Sequence, residues 1–363
     1  MSIFYMPVKV YEETNAIQNH AKEIAAFGKK ALIVTGRRSA FANGSYADLT
    51  AALEQEGVSF AVYSEVEKNP SVHTIMKARD FGIAEKVDFV IGIGGGSPLD
   101  ASKAIALMIK KADKGADFLY KPDGDSKALP IVAIPTTCGT GSEVTPVSVL
   151  TDTEKQVKKS IPHKIFADLA LIDGKYLSTA SLSVLRNTSL DALTHLIESY
   201  LNTKADDLSR MFVDSGLALW RQNRSILEKG DTDASVRQSM MNASAMAGMA
   251  IAQTSTTIPH GLSYSLTIKR NIPHGKAVGY FTAGYLNEAP AKDREYLLSR
   301  MGFESVEAFE EWYLRLYGKA AAEESILEAA AEELWQNKAK LSSVPFEADR
   351  ECLKRIAFYT FRF

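Results

Sequence analysis

Val90-Ile91-Gly92-Ile93-Gly94-Gly95-Gly96-Ser97-Pro98-Leu99-Asp100 is the stretch on which the fold turns. A strand-like apolar run passes straight into three consecutive glycines and then into a helical pattern. In this reading Ser97 is the helix N-cap, Pro98 takes the first helical position and Asp100 completes a capping box. Glycines let the backbone come close to a ligand, and the open N–H groups of a helix start attract phosphate. The run is not G-x-G-x-x-G, because Ser97 stands where the last glycine would fall, and no Gly-Lys-Ser/Thr follows to make a P-loop. A bare strand-to-helix turn is the plain alternative; three glycines in a row favour the phosphate site.

The same alternation extends on both sides. Ala31–Thr35, Phe60–Tyr63, Val87–Ile93, Leu129–Pro135 and Leu169–Asp173 read as buried strands. Ala47–Glu56, Val72–Lys86 and Pro98–Lys111 carry helix-spaced apolar residues between them, so a parallel sheet with crossover helices is expected. From about Leu182 strand-like runs almost vanish. Helical patterns cover Ser189–Leu201, Asp207–Leu227, Ala234–Gln253, Val306–Tyr317 and Glu324–Leu341. The expected architecture is an α/β Rossmann-like dinucleotide-type domain over residues 1–178 and an all-helical domain over 179–363.

Composition narrows the function classes. A chain of 363 residues exceeds one comfortable core. With 46% hydrophobic and 24% charged residues it is not a disordered chain. A net charge of −2 gives no electrostatic reason to expect nucleic acid or an anionic membrane as partner. The longest uncharged stretch, between Arg237 and Lys269, is too polar for a membrane span. Cys138 and Cys352 are far apart, and the first residues lack the layout of a signal peptide, so a cytoplasmic protein is expected.

A second loop, Pro135-Thr136-Thr137-Cys138-Gly139-Thr140-Gly141-Ser142-Glu143-Val144-Thr145, also follows a strand and offers hydroxyl donors; alone it is an ordinary polar loop. Asp191 and His195 lie four apart within a helical pattern and so share a face. Pro259-His260-Gly261 and Pro273-His274-Gly275 are two similar short contexts flanking a mostly apolar segment. Three imidazoles and one carboxylate can hold Fe²⁺ or Zn²⁺ with room for a substrate oxygen, although an Asp-x-x-x-His pair by itself is more often structural. His20 and His73 read as solvated, and His163 as a loop residue.

Taken together, the glycine run through Lys103, the Pro135–Thr145 loop, Asp191-Ala192-Leu193-Thr194-His195 and the pair His260 and His274 resemble the iron-containing (group III) alcohol dehydrogenase family. Within it, the chain looks most like the 1,3-propanediol dehydrogenase type. The resemblance runs up to about Asn287. It implies a dehydroquinate synthase-like architecture, a homodimer, and hydride transfer between nicotinamide C4 and a small alcohol or diol held at the metal. It implies metal ligation by Asp191, His195, His260 and His274. It implies cofactor contacts from Asn69, Gly94, Gly95, Gly96, Ser97, Asp100, Thr136, Thr137, Thr140 and Lys158.

Three departures from the family pattern stand out. Gly36, followed by Arg37, Arg38 and Ser39, replaces the aspartate suited to the ribose of NAD, which favours NADP(H) over NAD(H). Tyr264 stands where many members carry a further histidine, and becomes the candidate proton relay. Thr188-Ser189-Leu190 replaces a usual Thr-Gly before Asp191. Two rival readings keep the metal: a dehydroquinate synthase-like lyase, for which the Asp191–Leu201 region offers no cationic pocket, and a metal-dependent hydrolase, which leaves both glycine-bearing loops idle. A non-catalytic dinucleotide sensor leaves the carboxylate and histidine constellation unused.

Overall fold

The computed structural model describes residues 3–122, 125–152, 157–230, 232–319 and 322–361. By packing, the chain divides into two compact units. One comprises Met6–Ala180 and Asp233–Ala245; the other comprises Met1–Tyr5, Ser181–Thr232 and Met246–Phe363.

Among the described residues, the first unit holds eight strands: β1 (Lys9–Glu12), β2 (Lys30–Thr35), β3 (Ser59–Tyr63), β4 (Phe89–Gly94), β5 (Ile131–Pro135), β6 (Val149–Asp152), β7 (Val157–Ser160) and β8 (Leu169–Ile172). Six of them form an all-parallel sheet in the order β1-β8-β5-β4-β2-β3, and β6 pairs antiparallel with β7. Strands β4, β5 and β8 are buried along their whole length, which is why they appear in sequence as unbroken apolar runs. Ile33 pairs with Ile91, and Ile91 with Val132, in the middle of the core. Each such side chain, fully buried, contributes about 1.5–3 kcal/mol.

Chain order decides where a ligand crevice opens. After β2 the chain steps to β3 on one side, then returns to lay β4 on the other. The reversal lies between β2 and β4, and the crevice of such a sheet lies at the carboxyl ends of the strands. Gly36 follows β2 and Gly95 follows β4, so the two segments singled out in sequence flank that point.

One piece of this unit carries no clear sequence signal, and another, the start of the expected helix now seen at Ala234–Thr254, comes from the far half of the chain. Strand β1 is a partly exposed edge strand, Lys9-Val10-Tyr11-Glu12, without an apolar run. The segment 233–245 joins this unit through Gln238, whose Oε1 accepts from Gly174 N (2.7 Å) and whose Nε2 donates to the Ile172 carbonyl (3.2 Å).

In the second unit every element is helical among the described residues. Helix Leu182–Tyr200 starts seven residues ahead of Ser189, because Ser181 caps it by accepting from Val184 N (3.3 Å). Helix Asp207–Lys229 has a capping box from Asp206 and Ser209 and ends on Gly230 at φ 86°. The expected helix 324–341 is two pieces, Glu324–Trp335 and Lys338–Leu341, with Asn337 capping the second. Helices Ile258–Lys269 and His274–Glu288 are additions to the expected set. Their Pro-His-Gly starts look like turns in sequence; here Pro259 lies in the first helical turn and Pro273 just ahead of the helix it precedes. His20, read as solvated, is instead sandwiched: Glu13 Oε1 lies 2.6 Å from its Nε2, and Tyr11 stacks on its ring at 3.4 Å. His163 is buried and structural, with Nε2 3.0 Å from the Phe118 carbonyl.

Candidate metal centre and phosphate cradle

The candidate phosphate cradle belongs to the α/β unit. The helix after β4 begins at Gly96, with Gly95 at the cap position, rather than at Pro98 with Ser97 as cap. The reason is that both side chains are engaged elsewhere. Ser97 Oγ accepts from Asn69 N (3.1 Å). Asp100 accepts from Ser142 Oγ (2.5 Å) and Val149 N (2.9 Å). With glycine at the cap, no side chain covers the first amides of the helix, the arrangement a phosphate group uses.

The glycines also allow close packing. Gly94 has φ +150°, and a Cβ on it would meet Pro98 Cγ at 2.6 Å. A Cβ on Gly95 would touch Thr137 Oγ1 at 3.0 Å, and one on Gly96 would lie 2.7 Å from Thr140 Cγ2. The absent side chains thus bring the Thr136–Thr140 loop against the helix start. Thr136 N donates to the Gly94 carbonyl (2.9 Å). Thr151 Oγ1 donates to the Asn69 carbonyl (3.1 Å), and Lys158 pairs with Thr151 across the β6–β7 ladder. Asn69, Gly94–Ser97, Asp100, Thr136, Thr137, Thr140 and Lys158 therefore form one neighbourhood. Gly36–Ser39 lie at the end of β2, beside β4, with Arg37, Arg38 and Ser39 exposed.

Sequence reasoning assigned nothing to Lys103, which is buried beneath this cradle. Its ammonium donates to Ser142 Oγ (2.9 Å) and the Val147 carbonyl (2.8 Å) and lies 3.8 Å from Asp100 Oδ1. Burial pushes it down to about 8, against the pull of Asp100 and Glu143. Glu143, also buried, is pushed up to about 7 by desolvation. Through Ser142, Lys103 ties the glycine-run helix to the threonine loop.

The metal candidate belongs to the helical unit. Asp191 and His195 project from one face of the 182–200 helix, and His260 and His274 come from the first turns of helices Ile258–Lys269 and His274–Glu288. Donor atoms of Asp191, His195 and His260 lie within 4.8 Å of one another, all three residues buried. His274 Nε2 is 3.7 Å from Asp191 Oδ1, its side chain 28% exposed. The rings of His195 and His260 stack at 4.4 Å. Tyr264, one turn after His260, stacks on His274 at 6.2 Å.

Helix contact makes this cluster. A Cβ on Gly275 would sit 1.7 Å from the Asn187 carbonyl oxygen, so only glycine lets the helix bearing His274 press against the helix bearing Asp191. Burial pushes the Asp191 carboxyl up, but the imidazoles of His195, His274 and His260 outweigh it and hold it below the ordinary range. Asp191 Oδ1 and His260 Nε2 are buried, 3.4 Å apart, and neither has a hydrogen-bond partner among the described residues. Buried polar atoms seldom go unsatisfied. An anionic oxygen and imidazole nitrogens converging on one spot are what a borderline divalent cation completes. The residues present fit such an ion.

A parallel-sheet unit with an open helix start at its switch point, and a helical unit carrying a buried carboxylate–imidazole cluster, define the class of metal-dependent, dinucleotide-linked enzymes. Comparison with known proteins narrows the class. The family model described as Iron-containing alcohol dehydrogenase matches residues 7–174, and that described as Fe-containing alcohol dehydrogenase family, C-terminal, matches residues 186–342. The chain belongs to the iron-containing alcohol dehydrogenase family. It is 29% identical to long-chain-alcohol dehydrogenase 1 of Geobacillus thermodenitrificans, over 94% of this chain and 93% of that protein. It is 32% identical to the NADPH-dependent butanol dehydrogenase of Clostridium saccharobutylicum, over 69% of this chain and 65% of that one. The crystal structure of an iron-containing alcohol dehydrogenase from Thermotoga maritima matches with TM-score 0.91 and 34% identity, covering 99% of each chain. The chain is thus an oxidoreductase with metal-dependent, NAD(P)-linked alcohol dehydrogenase activity. That sets aside the lyase and hydrolase readings.

Proposed function

We propose that Asp191, His195, His260 and His274 hold a single Fe²⁺ (or Zn²⁺), and that the enzyme interconverts a small alcohol or diol and its aldehyde with NADP(H) preferred over NAD(H). The observation that carries the metal assignment is the buried pair of atoms without hydrogen-bond partners, Asp191 Oδ1 and His260 Nε2, set among two further imidazoles. When bound, the cation supplies Lewis acidity toward an alcohol or carbonyl oxygen, and the nicotinamide supplies the hydride acceptor or donor.

The chain's own residues do the holding. Asp191 gives the one anionic donor, kept ionised by its imidazole neighbours. Gly94–Ser97 offer amides to the dinucleotide phosphates, and Thr136, Thr137, Thr140, Asn69, Asp100 and Lys158 shape the surrounding cleft. Tyr264 is the proposed proton-handling hydroxyl, on the same helix as His260 and stacked on His274.

The cofactor preference rests on Gly36-Arg37-Arg38-Ser39 at the switch point. The segment itself carries no carboxylate for the ribose hydroxyls, and its two exposed guanidinium groups suit a 2′-phosphate. The NADPH-dependent relative is in keeping with this. A homodimer in the cytoplasm completes the proposal; exposed Ile3, Tyr5, Leu208 and Met211 on the helical unit offer apolar surface for association. No helix among the described residues is long and apolar enough to cross a membrane.

The test is anaerobic, Fe²⁺-loaded turnover of NADP⁺ and NAD⁺ with short alcohols and diols, followed by nicotinamide absorbance. Metal-dependent reduction favouring NADP⁺ is expected, with the preference lost in the double variant Arg37→Ser plus Arg38→Ser. Equal use of both cofactors by the wild type refutes the NADP assignment. Full metal content and turnover in His260→Ala refutes the ligand set.

A further inference from the structure

Glu198 is a fully buried carboxylate beside the metal candidate that the ligand set leaves without a task. It lies on the face of the 182–200 helix that carries Asp191 and His195, three residues beyond His195. Its Oε2 lies in hydrogen-bond contact with Nδ1 of His260. Its Oε1 accepts from Thr257 N (2.9 Å), Thr257 Oγ1 (3.1 Å) and His260 N (3.3 Å). Thr257 is the residue at the N-cap of the 258–269 helix and makes no side-chain cap of its own. Glu198 therefore caps that helix from a different one, placing an anion at its positive end.

A second charge, half-buried, grips the same turn. Lys340 Nζ donates to Thr256 Oγ1 (3.0 Å), the Thr256 carbonyl (3.2 Å) and the Thr257 carbonyl (3.3 Å). Tyr285 Oη lies 3.1 Å from Thr257 Oγ1. The turn ahead of His260 is thus held on its amide side by a carboxylate and on its carbonyl side by an ammonium.

We propose that Glu198 is the positioning residue that keeps the proton of His260 on Nδ1, leaving Nε2 to the cation, and that Lys340 holds the Thr256–Thr257 turn in the register this requires. The inference rests on the metal reading given above. A carboxylate on the far nitrogen of a ligand imidazole fixes its tautomer and orientation, and its loss costs about 10–100-fold in metal affinity. In Glu198→Gln one oxygen becomes an NH₂. Facing His260, that group selects the tautomer protonated on Nε2; facing Thr257, it opposes an N–H donor.

The experiment titrates Co²⁺ into metal-free wild type, Glu198→Gln, Lys340→Met, Thr257→Val and His195→Ala, reading affinity by chelator competition and the visible ligand-field bands. Glu198→Gln is expected to bind Co²⁺ about 10–100-fold more weakly, with shifted bands. Lys340→Met and Thr257→Val should each show a smaller loss in the same direction. Wild-type affinity and bands in Glu198→Gln overturn the proposal. Should that variant not fold, unchanged affinity and bands in both other variants overturn it. Failure of the wild type to take up Co²⁺ sinks the metal reading itself; a wild type that binds, with binding lost only in His195→Ala, sinks the outer-shell role alone.

Discussion

Gly275→Ala puts the helix contact behind the metal candidate to the test. An added Cβ would lie 1.7 Å from the Asn187 carbonyl oxygen, 2.7 Å from its carbon and 3.2 Å from Asp191 Cβ. Ordinary contact begins near 3.4 Å. The obstacle is backbone, which cannot rotate aside, so the 274–288 helix must retreat by roughly the difference, about 1.7 Å. His274 moves with it, from a present separation of 3.7 Å between its Nε2 and Asp191 Oδ1. Two donors on one cation, each bonded at about 2.0–2.2 Å, can stand at most about 4.4 Å apart. A retreat of that size therefore removes His274 from the ligand set. Expected are a fall in Co²⁺ affinity of at least about 100-fold, near 2.7 kcal/mol, and a stability loss of about 1–3 kcal/mol in the metal-free protein.

Gly279→Ala, one turn along, is the comparison. Its Cβ meets Leu190 Cδ2 (2.3 Å) and Tyr313 Cε2 (2.6 Å), side-chain atoms with more freedom to shift, so metal binding should suffer less. Chelator competition and thermal melts on both variants measure this. Wild-type Co²⁺ affinity in Gly275→Ala, or a greater loss in Gly279→Ala, refutes the reasoning.

Two further variants probe the α/β unit. Gly94→Ala forces a side chain onto φ +150° and against Pro98, at a strain of about 1–3 kcal/mol; fluorescence titration should show NADPH bound at least about tenfold more weakly, with metal content unchanged. Glu143→Gln tests the buried carboxyl: because the folded protein holds that proton up to about 7 while the unfolded chain releases it near 4.5, the native state binds more protons between those values. The carboxyl's contribution to stability is therefore fully present below 4.5 and is lost as pH rises from there through 7, by on the order of 3 kcal/mol. Urea midpoints of the variant should be flatter than wild type across that window, and an identical slope in both counts against a neutral Glu143.

Much of the fold was legible because burial on both faces leaves a plain trace: residues 31–34, 89–94 and 131–135 are unbroken apolar runs. The Asp191 and His195 pair was legible too, since a spacing of four on a helix is a spatial fact. The helices bearing His260 and His274 were not, because Pro and Gly beside a histidine have the local appearance of turns. Their glycines are there for contacts with Leu334 and Asn187, which lie 73 and 88 residues away along the chain.

The sequence by itself determined the two kinds of texture, the strand–glycine–helix turn, and which residues could serve a cation or a phosphate, all of them properties of near neighbours in the chain. Only the tertiary structure decided that Ser97 and Asp100 turn away from capping to bind Asn69, Ser142 and Val149. Only it brought Glu198 to His260, and Lys340 to the turn before it. Those partners are chosen by packing between distant segments, where desolvation makes each buried charge seek whichever group the fold sets beside it.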